Sequence, residues 1–118
     1  MENQTFVHLQ FLRNTLLSLP GVTEKKAYGT PAFYAGKKIF CRLQDDWNTL
    51  VLANNTREEL LQTQPETFFI TDHYLNYDYV LVNMTSVEPA QLKQLLLEAW
   101  KLRANKSLIK QLETTVND

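Results

Sequence analysis

The hydrophobic period of this chain switches from helical to strand-like and back, and the order of those switches limits its fold more than any motif does. Phe6, Leu9, Leu12 and Leu16 recur at three- and four-residue spacing, so residues 5–18 read as an amphipathic helix with Asn3 or Thr5 as its cap. Pro20-Gly21 stops it. Residues 22–53 change to short β-type runs punctuated by glycines, which predicts a meander of three or four antiparallel strands. Within it, Ile39, Cys41 and Leu43 alternate with Phe40 and Arg42 after a turn at Gly36-Lys37, so residues 32–35 and 38–44 form a hairpin.

The helical signal then returns. Thr56-Arg57-Glu58-Glu59 has capping-box spacing, and a short helix follows that ends before Pro65. Phe68, Phe69 and Ile70 read as a strand and residues 79–82 as another, joined by a polar loop over residues 71–76. Pro89 suits the first position of a closing helix, whose face carries Leu92, Leu95, Leu96, Ala99, Trp100 and Arg103. Leu108, Ile109, Leu112 and Val116 extend the helical spacing into an extra C-terminal helix over residues 107–117.

This order predicts an α+β fold: an antiparallel sheet of about five or six strands with helices covering one face. There is no strong βαβ alternation, which disfavours a doubly wound nucleotide fold. At 118 residues, 44% of them apolar and 11% aromatic, residues 1–118 are expected to form a single domain with one packed core. No apolar run approaches the roughly 20 residues that span a bilayer, so no membrane partner is expected. The N-terminus lacks a basic region and a long apolar stretch, which places the chain in the cytoplasm by default.

Several chemistries are disfavoured by spacing. Gly21, Gly29 and Gly36 lie too far apart for a phosphate loop or a dinucleotide fingerprint. His8, His73 and Cys41 match no metal-ligand pattern, so no metal or other cofactor is expected. Ser18 or Ser86 with His73 and Asp72 makes a triad only on paper, because an adjacent acid does not orient its histidine. Cys41 is expected as a buried core thiol, and its solitude excludes an internal disulfide.

Charge placement says more than the net charge of −1. Lys25, Lys26, Lys37, Lys38 and Arg42 fall in a stretch without acids, whereas residues 45–78 hold seven acids and Arg57 alone among bases. A basic hairpin that also carries Tyr28, Phe33 and Tyr34 could neutralise phosphates and stack on bases, with DNA as the partner. The alternative for the same lysines is a solvated rim that keeps a sheet edge from aggregating. Lys101, Arg103, Lys106 and Lys110 form a second basic group, which complements a helix C-terminus. A second candidate site groups Tyr34 with Asp72, His73 and Tyr74, where a small molecule would bind or weak catalysis occur; the structural alternative is that these loop residues only close a turn. A third reading is a protein contact through a sheet face or the C-terminal helix. Trp100 is expected in the core, and Trp47 either as an exposed contact or as cover for the sheet end.

Three segments carry a family likeness: Thr30-Pro31-Ala32-Phe33-Tyr34; Gly36-Lys37-Lys38-Ile39-Phe40-Cys41-Arg42-Leu43; and Pro65-Glu66-Thr67-Phe68-Phe69-Ile70-Thr71-Asp72-His73-Tyr74. With Leu19-Pro20-Gly21-Val22 and Leu95-Leu96-Leu97-Glu98-Ala99-Trp100 they resemble the MmcQ/YjbR family over residues 8–105. The resemblance implies a CyaY-like α+β domain with a double-wing element, named for DNA binding. It brings no catalytic residues to transfer. Where many relatives carry a basic or tryptophan-containing stretch after their loop, this chain has Leu75-Asn76-Tyr77-Asp78-Tyr79.

Overall fold

We describe the protein from a computed structural model covering residues 2–117, with side-chain surroundings for residues 7–114. The helical backbone already begins at Glu2, so Asn3 and Thr5 lie within the first helix and neither caps it as expected; the packing expected of Phe6 and Val116 lies outside the described side chains. Helix α1 (Glu2–Leu16) precedes four consecutive strands, β1 (Val22–Ala27), β2 (Thr30–Ala35), β3 (Lys38–Leu43) and β4 (Thr49–Ala53). Helix α2 (Arg57–Thr63), strand β5 (Phe68–Phe69), a 3-10 turn (Asp72–Tyr74) and strand β6 (Tyr79–Asn83) follow, and α3 (Pro89–Arg103) and α4 (Lys106–Asn117) close the chain. The six strands form one antiparallel sheet in the order β1-β2-β3-β4-β6-β5.

Register divides the sheet into two faces, because directly paired residues project to the same side. Glu24, Phe33, Cys41, Leu52 and Val80 form one cross-strand row. Its members beyond Glu24 enter a hydrophobic cluster with Leu9, Leu12 and Leu16 of α1 and Leu92, Leu95, Leu96, Ala99 and Trp100 of α3. Glu24 pairs with Arg13 of α1 at 2.7 Å. This is the helix-covered face. Its neighbouring row, Lys25, Ala32, Arg42, Val51, Leu81 and Phe69, crosses all six strands on the opposite side.

The simple alternation expected in β3 is broken. Phe33 pairs with Cys41 but Tyr34 pairs with Ile39, so Phe40 is an extra residue in a β-bulge. Phe40 and Cys41 are both fully buried in the core cluster, whereas Ile39 and Arg42 are half-buried. The bulge thereby puts Ile39 and Arg42, three residues apart, on the helix-free face.

Two further expectations are corrected. Thr56 is the N-cap of α2 but makes no side-chain cap bond; Asn54 Oδ1 instead accepts from the Thr56 amide at 2.9 Å. Ile70 lies outside β5, which stops at Phe69. The expectations for the closing segment hold. Pro89 opens α3, Trp100 is fully buried and its Nε1 donates to Pro20 O at 3.1 Å, and a separate α4 packs Leu108, Ile109 and Leu112 against the core. Trp47 also packs there, covering the sheet end with a left-handed backbone (φ 57°).

Candidate functional site

Arg42 is held on the helix-free face by three contacts. Its Nη1 donates to Thr30 Oγ1 at 3.0 Å and to Leu43 O at 3.3 Å, and Thr30 Oγ1 in turn donates to Ala27 O at 3.2 Å. The guanidinium carbon lies 5.2 Å from the centre of the Tyr28 ring, within cation–π range. Tyr28 and Gly29 form the two-residue β1–β2 turn with φ of 55° and 84°. Such turns favour positive φ at both positions, yet a bulky side chain is strained there. That strained tyrosine is 89% exposed with its ring against Arg42.

The facing wall comes from the segment between β5 and β6. The 3-10 turn sets the His73 and Tyr74 rings edge to face with centroids 4.7 Å apart, and Tyr74 meets Tyr79 in the same way at 5.6 Å. Arg103 of α3 lies over the Tyr79 ring at 5.4 Å. Between the walls is a cleft of about 370 Å3, lined from the strands by Ile39, Cys41 and Val51 and from the sides by Tyr28, Arg42, His73, Tyr74 and Tyr79. Its lining is mainly aromatic and aliphatic with a few polar groups, the usual make-up of a small-molecule site.

Arg57, the first residue of α2, holds the outer wall from behind. Its Nη1 donates to Tyr77 O and Tyr79 O at 2.7 Å each and to Tyr74 O at 3.3 Å, and its Nη2 donates to Leu75 O at 2.7 Å. One guanidinium thus gathers four carbonyls of the cleft-forming loop.

The residues singled out from sequence regroup. Arg42, assigned to the basic hairpin, meets His73 and Tyr74, assigned to the ligand site. Tyr34 and Asp72 do not line the cleft; Tyr34 lies beside it through its pairing with Ile39, with Lys25 Nζ 5.4 Å from its ring. The five basic residues do not form one stripe. Lys25 and Arg42 share the helix-free row, Lys26 projects to the helix-covered face, and Lys37 and Lys38 sit at the far end of β3, about 13 Å along the strand from Arg42. Tyr28, expected as a stacking ring of the basic hairpin, lines the cleft, whereas Phe33 is buried in the core. Ile39, Val51, Tyr79 and Arg57 were missed, and nothing local marks them.

Electrostatics around the cleft is mixed. Arg42 also lines a neighbouring hollow with Gln44, Asp45 and Asp46. Burial would raise the Asp46 carboxyl, but hydrogen bonds from Thr49 Oγ1 and the Asn48 and Thr49 amides outweigh it and hold the pKa below its ordinary value. Burial pushes the Cys41 thiol up, which keeps it protonated and a poor nucleophile. Among the described residues no cluster of three His, Cys, Asp or Glu side chains could hold a metal ion, and no helix is long and apolar enough to cross a membrane.

Comparison with known proteins fixes the family. A family model described as YjbR matches residues 17–102, well over half of the chain. The chain belongs to the YjbR family. Arg42, His73, Tyr74 and Arg57 all fall inside the matched YjbR region. Proteins described as uncharacterized, Rv2570 of Mycobacterium tuberculosis and Mb2600 of Mycobacterium bovis, are each 36% identical to it over 50 residues, which is 42% of this chain and 39% of theirs. The matched stretch therefore spans well under half the length of these relatives. The crystal structure of Deinococcus radiodurans protein DR2400, a DUF419 domain, superposes with a TM-score of 0.70 at 25% identity, covering 89% of this chain and 87% of that one. This YjbR-family chain thus shares its α+β architecture with a solved relative.

Proposed function

We propose that the cleft on the helix-free face binds a small planar molecule carrying one anionic group, such as an aromatic carboxylate or phosphate. The observation behind this reading is that Arg42 faces His73 and Tyr74 across one cleft of about 370 Å3. A guanidinium fixed in position donates two parallel hydrogen bonds to a carboxylate or phosphate, and the surrounding rings offer stacking surface. Asp45 and Asp46 beside Arg42, and Asp72 beside His73, would repel a polyanion crossing the rim more than a single anion seated within it.

The test is a calorimetric titration of benzoate, phenyl phosphate and adenosine monophosphate, each against a neutral analogue. Arg42→Met should weaken binding of the anionic probes at least tenfold, whereas replacing Lys37 and Lys38 with alanine should leave it unchanged. Absence of millimolar binding by all three probes, or indifference to Arg42→Met, rejects the reading.

One observation favours a nucleic acid as a second reading. Lys25, Tyr34, Tyr28 and Arg42 share the helix-free face, which is the pairing of bases and rings that a single strand uses. Binding of a DNA single strand that falls with rising salt and with Lys25→Ala would support it; salt-independent or undetectable binding would reject it.

A further inference from the structure

From the carbonyl cage around its guanidinium we infer that Arg57 is the positioning residue of the cleft. This rests on the ligand-binding reading above but concerns a residue that does not itself line the cleft. Tyr74 and Tyr79 place their rings in the wall while their carbonyl oxygens, with those of Leu75 and Tyr77, point back to Arg57. The loop's own backbone bonds are local: the Tyr74 amide donates to Thr71 O at 3.0 Å, Leu75 to Asp72 O at 3.3 Å, Tyr77 to Tyr74 O at 3.1 Å and Tyr79 to Tyr77 O at 2.9 Å. None joins the loop to the body of the protein. Besides Arg57, the ties of residues 74–79 to that body, among the described residues, are the strand pairing of Tyr79 with Ala53, Arg103 over the Tyr79 ring at 5.4 Å, the Asn54 amide, which donates to Asp78 O at 2.9 Å, and Arg103 Nη2, which reaches the same oxygen at 3.5 Å. All of these act at Asp78 and Tyr79, so Tyr74, Leu75 and Tyr77 are left to Arg57.

The geometry is specific to a guanidinium. Its planar fork offers five N–H donors in fixed directions, whereas a lysine ammonium has three donors on one atom and cannot span four carbonyls. Without Arg57 the carbonyls turn towards water, the loop opens, and the part of the wall carried by His73 and Tyr74 leaves the sheet while Tyr79 stays in β6. Arg57 therefore determines whether His73 and Tyr74 face Arg42.

Two variants and two readouts test this, with phenyl phosphate as the probe. In Arg57→Ala, amides of residues 74–79 should exchange with solvent at least tenfold faster while those of β3 and β4 keep their protection, and probe binding should weaken at least tenfold. Millimolar methylguanidinium chloride, far below denaturing levels, should refill the cage and restore both. Arg57→Lys should show smaller effects in the same direction and no rescue. Unchanged exchange over 74–79, an equal loss of protection across the whole sheet, or failure of methylguanidinium to rescue Arg57→Ala overturns the proposal. If the wild-type protein binds no probe, the ligand reading falls by itself, and the exchange and rescue results still decide the role of Arg57.

Discussion

At the scale of single residues, the polar side chains with the most partners organise loops. Asp46 accepts from two amides and one hydroxyl at 2.7–2.9 Å, closing the turn that carries Trp47 in its left-handed conformation. Its pKa is depressed in the folded state, so the ionised form stabilises the fold. That contribution is complete above the unfolded carboxyl value near 4 and is lost as pH falls through the lower folded value. Asp46→Asn should cost about 1 kcal/mol at pH 7, a figure that allows for partial exposure. In urea unfolding the gap between variant and wild type should narrow below about pH 4; a gap independent of pH would show that charge plays no part. Arg57 belongs with Asp46, since each satisfies several backbone groups at once. Local sequence had offered Arg57 only as the second residue of a capping box. Its partners lie 17 to 22 positions away, a separation no local pattern reports.

At the scale of elements, the connections decide as much as the strands. Gly21 and Gly29 both have positive φ, but a Cβ on Gly21 would lie 2.6 Å from Leu108 Cδ2 of α4, whereas one on Gly29 would meet nothing within 4 Å. Gly29→Ala should cost about 1 kcal/mol through backbone strain alone. Gly21→Ala should cost more, because Leu108 must also move; equal losses in thermal unfolding would show that α4 yields freely. Elements of strong period were legible in the sequence: α1 from its leucines, α3 from Pro89 to Trp100, α4 as a separate unit. The bulge in β3 was not. Ile39, Phe40 and Cys41 are all apolar, so strict alternation and a bulge leave the same trace, and pairing with Tyr34 and Phe33 selects between them. The misassigned members of the candidate site have another origin: Tyr34 shares the helix-free face but lies beside the cleft, and Asp72 opens the 3-10 turn without lining it.

At the scale of the molecule, the sheet is a partition between core and cleft. Helices α1, α3 and α4 pack on the core side, so α4 should contribute stability without touching recognition. A chain ending at residue 105 loses the packing of Leu108, Ile109 and Leu112, at about 3 kcal/mol. Its melting temperature should drop by roughly 10–20 °C for a chain of this size, while affinity for phenyl phosphate at temperatures where it stays folded should be unchanged. Loss of affinity in the folded truncated chain would tie α4 to the site. The partition also explains why charge counting along the sequence missed the site: residues 25–42 alternate between the two sides and the two ends of the sheet, so a basic run in one dimension becomes three separate places in three. Leu50, Val51 and Leu52 show the same division within one strand, the outer two in the cluster and the middle one in the cleft. Cys41 and Tyr79 serve both sides, but Tyr28, Ile39, His73 and Tyr74 line the cleft without belonging to the cluster, so on the ligand reading proposed above a change at these four would alter binding without reopening the interior. On that reading, relatives of equal fold need not share a cargo.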